Sequence, residues 1–239
     1  MKINVLLSPN NADELYFTGK NTVVIDVLRA STVIVNALNN KAKEVIPVDS
    51  VDFALKVSGG AFSGQTLLGG ERNTRMIDGF NLGNSPEDYT EELVAGKTVI
   101  IYTTNGSKAI VKSKYSEKLI VGCYNNIEAI AEYIVKLDED FEILCSGANG
   151  KFCIEDTVCA GKIIEMIEHK MEGLELTDSA SAALILSKSF NNIYEMMINS
   201  EHGKKLIENG FEKDIEFCSQ LNNVGIIPIY SSGLLKLHN

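Results

Sequence analysis

The chain has 239 residues, of which 45% are apolar and 23% charged, and it carries a formal net charge of −10. This composition predicts a globular protein with one domain over residues 1–239, and no apolar stretch reaches the roughly 18 residues that would span a membrane. The negative charge argues against the broad basic surface that binds nucleic acid. The five cysteines are odd in number and form no CxxC pair, which favours reduced thiols in the cytoplasm over disulfides or structural zinc.

The N-terminal third contains a buried strand that runs directly into a helix. Val23–Ile25 is a short β-branched run, and Asp26 follows it at once. Arg29, Ser31 and Thr32 then lead into an apolar helical pattern, where small hydroxyl residues are typical N-caps. Because a helix N-terminus presents free N–H groups, this segment can hold a metal and an anion together. The alternative is that Asp26 is a turn residue and Arg29 its surface partner.

The arginines are few and unevenly placed. Only three occur in the chain, at positions 29, 72 and 75, against many lysines. All three fall in loops that contain glycine or serine. The planar guanidinium fits the oxygens of phosphate or sulfonate in a way that the ammonium of lysine does not. The arginines are therefore candidates for binding an anionic substrate, and the alternative is chance placement in a lysine-rich chain.

The strand-to-helix segment recurs later in the chain. Thr98–Ser107 aligns without a gap against Thr22–Ser31, and the strands and helices that follow also correspond. This pattern predicts two copies of one strand-helix-strand-helix-strand-loop unit, at about 20–90 and 96–165. The alternative is that any two βαβ segments of similar length resemble each other without a duplication. The alternation predicts an α/β fold, with a largely parallel sheet between helical layers and ligands at the carboxyl ends of its strands.

The C-terminal part of the chain carries less information. A helix opens with Glu155 and Asp156, acids that suit the first turn of a helix. Beyond it, residues 170–239 show helical patterns and a last predicted strand at Gly225–Tyr230. This segment has no motif with an assignable chemistry, and we expect it to pack on the repeats and cover the site.

Acids and cations converge on the loops at the predicted carboxyl edge of the sheet. The acids are Asp26, Glu71, Glu155 and Asp156. Carboxylates suit Mg²⁺, while arginine and backbone N–H groups suit a phosphate. Metal-assisted phosphoryl transfer needs this combination, because charge on the phosphoryl oxygens must be neutralised while a nucleophile is aligned.

Four motifs in this order resemble the 2-phosphosulfolactate phosphatase family, from about residue 3 to about residue 230. They are Val24–Ser31, Gly70–Arg72 with Gly79–Pro86, Thr103–Gly106, and Gly147–Phe152 with Glu155 and Asp156. The resemblance implies a Mg²⁺-dependent phosphatase that hydrolyses 2-phosphosulfolactate to sulfolactate and phosphate, a step in coenzyme M biosynthesis. It also implies a three-layer α/β/α fold with two similar halves, in agreement with the repeat.

The resemblance and the residue chemistry together suggest roles for the loops. Asp26 and Glu71 are expected to bind Mg²⁺ with Glu155 or Asp156, and a water activated by the metal is the expected nucleophile. The expected catalytic residues are Asp26, Arg29, Glu71 and Arg72. The residues expected to bind the substrate are Arg29, Ala30, Ser31, Arg72, Arg75, Thr104, Asn105, Gly106, Ser107, Asn149 and Lys151. Backbone N–H groups of the two helix starts, at positions 30, 31, 106 and 107, are the expected further donors to the anion.

Other phosphatase chemistries fit less well. An aspartyl-phosphate mechanism of the haloacid-dehalogenase type needs an Asp two residues after Asp26, where Leu28 stands. A cysteine phosphatase needs a loop ending in Arg after its nucleophile, whereas the loop after Cys145 ends in Lys151, and Cys145 is expected to end a buried strand. The three histidines, His202 among them, are expected on the surface. No P-loop motif occurs.

Two further alternatives stay open. One is a non-catalytic binder of a phosphorylated or sulfonated metabolite, and the other is a phosphatase for a related 2-phospho acid. A simple anion binder has no reason to collect acids beside its arginines, which favours the enzyme. A homodimer is the default expectation for the assembly.

Overall fold

The computed structural model describes residues 1–59 and 65–238, which contain eleven strands and ten α-helices. The strands are β1 (Lys2–Leu6), β2 (Asn21–Ile25), β3 (Glu44–Val48), β4 (Thr66–Arg72), β5 (Arg75–Met76), β6 (Thr98–Tyr102), β7 (Lys118–Gly122), β8 (Phe141–Cys145), β9 (Glu175–Leu176), β10 (Pro228–Ser231) and β11 (Leu234–Leu237). The helices are α1 (Ala30–Asn39), α2 (Val51–Ser58), α3 (Glu91–Val94), α4 (Gly106–Lys112), α5 (Ile127–Leu137), α6 (Ile154–Glu168), α7 (Asp178–Lys188), α8 (Ile193–Asn199), α9 (Glu201–Glu208) and α10 (Glu212–Cys218).

All the described strands belong to one mixed sheet, in the order β5-β4-β6-β3-β11-β10-β7-β2-β8-β1-β9. The parallel pairs are β1–β8, β1–β9, β2–β7, β2–β8, β3–β6 and β4–β6. Antiparallel pairs occur only around β5, β10 and β11 within the described residues. The predicted α/β class, with a largely parallel or mixed sheet, is confirmed.

The strands of the two predicted copies interleave. β2, the first strand of the first copy, lies between β7 and β8 of the second, with Val24 opposite Val121 and Leu144. Likewise β6, the first strand of the second copy, lies between β3 and β4 of the first. Each half of the sheet therefore contains a strand from the other copy. The duplication itself, and the single domain over 1–239, stay predictions.

Helices cover both faces of the sheet, which gives the three layers. Every residue of β2 is buried, as its β-branched run predicts. Because side chains alternate along a strand, Val23 and Ile25 pack in one apolar cluster with α5, α6 and α7. Val24 points to the opposite face and packs with α1 and α4.

The C-terminal hairpin lies in the middle of the sheet. The predicted last strand at Gly225–Tyr230 is shifted to Pro228–Ser231, and a further strand, β11, follows it. β10 pairs with β7 and β11 with β3, both antiparallel, so the hairpin joins the two halves of the sheet. Ser232 and Gly233 form its turn with positive φ angles of 52° and 86°, a conformation that suits two-residue hairpins. The Ser-Gly pair between apolar residues was a readable signal for this hairpin.

The five cysteines are all buried and free, as the sequence predicts for reduced thiols. Among residues 1–59 and 65–238, no helix has both the length and the apolar character needed to cross a membrane.

We expect Gly161→Ala to destabilise the protein, because α6 and α7 meet at this glycine. A Cβ at position 161 would lie 2.1 Å from the backbone oxygen of Ala183 and 2.6 Å from Cβ of Ser187. Overpacking of this kind lowers the free energy of unfolding by about 1–3 kcal/mol, which urea titration would measure. The control is Gly225→Ala, where the added Cβ meets nothing within 4 Å. Equal urea midpoints for the two variants would show that α6 and α7 are not in this close contact.

Candidate active site

A cavity of about 430 Å³ opens at the carboxyl ends of the central strands. Its wall is built by the segments that follow β2, β4, β6 and β8, together with the start of α9. These are the loops that the sequence places at one edge of the sheet, plus one helix that it does not. Three buried acids, Asp26, Glu71 and Glu155, line the cavity.

Asp26 stands at the end of β2, where its carboxylate caps the start of α1. Its Oδ1 accepts the N–H of Ala30 at 3.2 Å, and its own N–H donates to Oγ of Ser31 at 2.7 Å. Burial raises the pKa of Asp26 to about 6, and the charges of Glu71 and Glu155 add to this rise. The charge of His202 and the N–H of Ala30 act in the opposite direction.

Glu71 holds the loops after β4 and β6 together. Its Oε1 accepts the N–H of Thr104 at 2.7 Å, and its Oε2 accepts the N–H of Thr74 at 2.7 Å. Each carboxylate oxygen keeps a second lone pair, so these bonds still allow Glu71 to bind a cation.

Asp156 plays the corresponding part between the loops after β2 and β8. Its Oδ1 accepts the N–H of Val27 and its Oδ2 that of Gly147, both at 2.9 Å. Burial, followed by the charges of Asp26 and Glu155, raises the pKa of Asp156 well above its ordinary value. Asp156 is not among the residues that line the cavity, whereas Glu155 is. Of the two expected metal ligands, Glu155 is therefore the one that faces the site.

Arg29 lines the cavity, but its guanidinium is engaged with the C-terminal segment. Nη1 forms a buried ion pair with Asp214 of α10, and Nη2 donates to the carbonyl oxygen of Thr74 at 2.9 Å. The guanidinium carbon also lies 4.3 Å from the ring centroid of Phe211. These three contacts explain the position of Arg29 without any bound substrate. Arg29 is also buried, so the alternative that it is a surface partner of Asp26 is wrong.

Arg72 and Arg75 lie outside the cavity. Both side chains are exposed on the β4–β5 hairpin, where they are register partners. Arg72 stacks over Tyr102 at 6.0 Å from the ring centroid. Asn73 and Thr74, which lie between the two arginines in the sequence, do line the cavity, and the roles expected for Arg72 and Arg75 stay predictions.

The helix-start N–H groups expected to bind the anion are largely used within the chain. Ala30 donates to the Asp26 carboxylate and Ser31 to the Asp26 carbonyl oxygen. Ser107 donates to Oγ1 of Thr103 at 2.9 Å. Gly106 packs so tightly that a Cβ there would lie 2.4 Å from Oδ2 of Asp26. These four positions support the loops after β2 and β6 and do not line the cavity.

The remaining substrate-binding candidates do line the cavity: Thr104, Asn105, Asn149 and Lys151. Oδ1 of Asn105 accepts the N–H of Asn149 at 2.9 Å, which joins the loops after β6 and β8. Oγ1 of Thr104 is buried without a hydrogen-bond partner in the described structure. Oγ1 of Thr74 and Oδ1 of Asn84 also lie in the cavity wall, and they too are buried without a hydrogen-bond partner in the described structure.

Helix α9 contributes residues that the sequence analysis missed. Glu201, His202 and Lys205 line the cavity, and Nδ1 of His202 lies 3.3 Å from Oε1 of Glu155. The expectation of a surface position for His202 is wrong, because only 17% of its side chain is exposed. No local motif marks α9, and only the packing of the C-terminal helices brings it to the strand ends.

Comparison with known proteins gives one consistent result. The sequence model of the 2-phosphosulpholactate phosphatase family matches residues 7–233. A protein of Clostridium acetobutylicum, named probable 2-phosphosulfolactate phosphatase, is 41% identical over 233 residues, covering 98% of this chain and 99% of its own. Proteins with the same name from Caldanaerobacter subterraneus and Clostridium tetani are 41% and 38% identical, covering 95% and 99% of this chain and 94% and 100% of their own. The chain therefore belongs to the 2-phosphosulpholactate phosphatase family.

Proposed function

We propose that the protein is a Mg²⁺-dependent phosphatase that hydrolyses 2-phosphosulfolactate to 3-sulfolactate and phosphate. Membership of the family and the names of the relatives support the reaction. The observation that carries the proposal is the grouping of three buried carboxylates in one cavity with unpartnered hydroxyl groups. The proposal includes a place in coenzyme M biosynthesis and a cytoplasmic location, where the five thiols stay reduced.

The donor set of the cavity fits a hard divalent cation. Asp26, Glu71 and Glu155 offer carboxylate oxygens, which Mg²⁺ prefers. Burial raises the pKa of Asp26 to about 6, and repulsion from Glu71 and Glu155 adds to the rise. A divalent cation would relieve that repulsion. When bound, it would neutralise charge on the phosphate and lower the pKa of a water molecule.

The chain itself would bind and orient the substrate. Lys151 and Lys205 line the cavity from two different elements, the β8 loop and α9. Among the described lining residues they are the lysines available for an anionic substrate, since Arg29 is paired with Asp214 and the other two arginines lie outside. The free hydroxyls of Thr74 and Thr104 would donate to phosphate or sulfonate oxygens. Burial of these hydroxyls without a partner costs about 1–3 kcal/mol each, a cost that a bound substrate would offset.

Release of phosphate tests the activity and its alternatives. We expect release from 2-phosphosulfolactate with Mg²⁺ and none with EDTA, measured by a colorimetric phosphate assay. Equal rates on 2-phosphosulfolactate, phospholactate and phosphoglycerate would contradict a sulfonate site and favour a general 2-phospho acid phosphatase. Calorimetric binding of these compounds without any release of phosphate would instead establish the non-catalytic binder.

Asp26→Asn is expected to stabilise the metal-free protein at pH 7 while it abolishes the response to Mg²⁺. A carboxyl group whose pKa rises from 3.8 to about 6 on folding stabilises the fold only at low pH. That contribution is lost as pH rises through this window, and the loss amounts to about 3 kcal/mol at pH 7. The amide keeps an acceptor for Ala30 but carries no charge. Thermal unfolding in EDTA at pH 4 and pH 7, and then with excess Mg²⁺, would measure both effects.

The matched control is Asp49→Asn, an exposed acid that directly follows β3 as Asp26 follows β2. We expect this control to keep the Mg²⁺-dependent rise of the unfolding temperature and the full rate of phosphate release. An Asp26→Asn enzyme that retains Mg²⁺-dependent turnover would remove Asp26 from the metal site.

Lys205→Gln is expected to raise KM about fivefold, with a smaller change of kcat. Lys205 is exposed at the cavity, so its contact with an anion is worth about 1 kcal/mol. The control is Lys204→Gln, one residue earlier on α9, which is exposed but does not line the cavity. Steady-state kinetics that change equally in both variants would show only a general effect of net charge.

A further inference from the structure

Three side chains of different chemistry meet in the cavity wall. Sγ of Cys153, a carboxylate oxygen of Glu155 and a ring nitrogen of His202 lie within 4.8 Å of one another. Cys153 immediately precedes α6 and Glu155 lies in its first turn, while His202 lies in the first turn of α9. The cluster therefore joins two elements that are far apart in the sequence.

The spacing is that of a metal site. Ligands bonded to one ion at about 2.0–2.3 Å in tetrahedral geometry lie roughly 3.3–3.8 Å from each other. The measured separation of Nδ1 of His202 from Oε1 of Glu155 is 3.3 Å. All three residues line the cavity, so a fourth position would face the space that the substrate would occupy.

Cys153 differs from the other cysteines of the chain. Cys145, Cys159 and Cys218 pack in the largest apolar cluster, and Cys123 packs in a smaller one, so apolar packing explains all four. Cys153 belongs to neither cluster and faces the cavity beside a Glu–His pair. An ion pair between Glu155 and His202 leaves the position of the thiol unexplained, whereas a Cys–Glu–His ligand set accounts for all three side chains.

We propose that Cys153, Glu155 and His202 form a second cation site, selective for zinc-class ions such as Zn²⁺ and Co²⁺. Sulfur and imidazole nitrogen favour these ions, while Mg²⁺ prefers oxygen ligands. On binding, the ion forms a bond to Sγ, and the thiol proton passes to solvent. Glu155 is shared with the proposed Mg²⁺ set, so Zn²⁺ bound here inhibits the phosphatase. This last consequence alone rests on the proposed function.

Titration of the metal-free full-length protein with Co²⁺ tests the site without any turnover. We expect one equivalent to produce the near-ultraviolet charge-transfer band of a thiolate bound to Co²⁺. Cys153→Ala should lose the band, and His202→Gln should weaken Zn²⁺ binding about 10- to 100-fold by calorimetry. Cys159→Ala, the same change at a cysteine inside α6 that does not line the cavity, should keep the band. Circular dichroism and thermal unfolding confirm that each variant is folded before it is compared.

A wild-type protein that gives no band, or a band that persists in Cys153→Ala, overturns the site. The inhibition is measured separately, as the ratio of phosphate release with and without Zn²⁺ at constant Mg²⁺. We expect strong inhibition of the wild type and at least tenfold weaker inhibition of Cys153→Ala, while equal inhibition of both contradicts the shared ligand. If the band forms and no phosphate is ever released, the second cation site stands and the proposed function fails.

Discussion

Two buried acidic side chains join the loops at the carboxyl edge of the sheet. Glu71 accepts N–H groups from the loops after β4 and β6, and Asp156 accepts N–H groups from the segments after β2 and β8. In both cases one of the two strands comes from the other predicted copy of the repeat. Because each acid accepts one N–H group on each of its two oxygens in a buried site, these directional hydrogen bonds fix the distance between loops that bear the remaining polar residues.

The buried acidic side chains that form the site also lower the stability of the protein without a bound ligand. Asp26, Glu71 and Glu155 are all buried, and burial raises the pKa of Asp26 to about 6. The buried ion pair of Arg29 with Asp214 holds α10 beside the cavity, but buried pairs contribute little net stability and do not offset this cost. The proposed cation, if bound at these acids, would offset the cost of their burial.

The sequence predicted the sheet and its polar edge well, because β2 and β6 are buried runs rich in β-branched residues. It predicted less of the site. Arg72 and Arg75 were assigned to it by chemical type, but the β4–β5 hairpin directs them into solvent, which residue type alone does not reveal. His202 and Lys205 come from an ordinary amphipathic helix, so only tertiary packing identifies them. Glu155 lines the cavity and Asp156 does not. This difference between two adjacent acids depends on side-chain direction within one helical turn.

The central position of the C-terminal hairpin affects how the sheet closes. Residues 228–237 separate β3 from β7, and Leu235 is completely buried there. Until this hairpin pairs with both strands, β3 and β7 each present an open edge, and open edges are prone to association with other chains. Completion of the sheet therefore depends on contacts between segments that are far apart in the sequence, which is a slow step in folding.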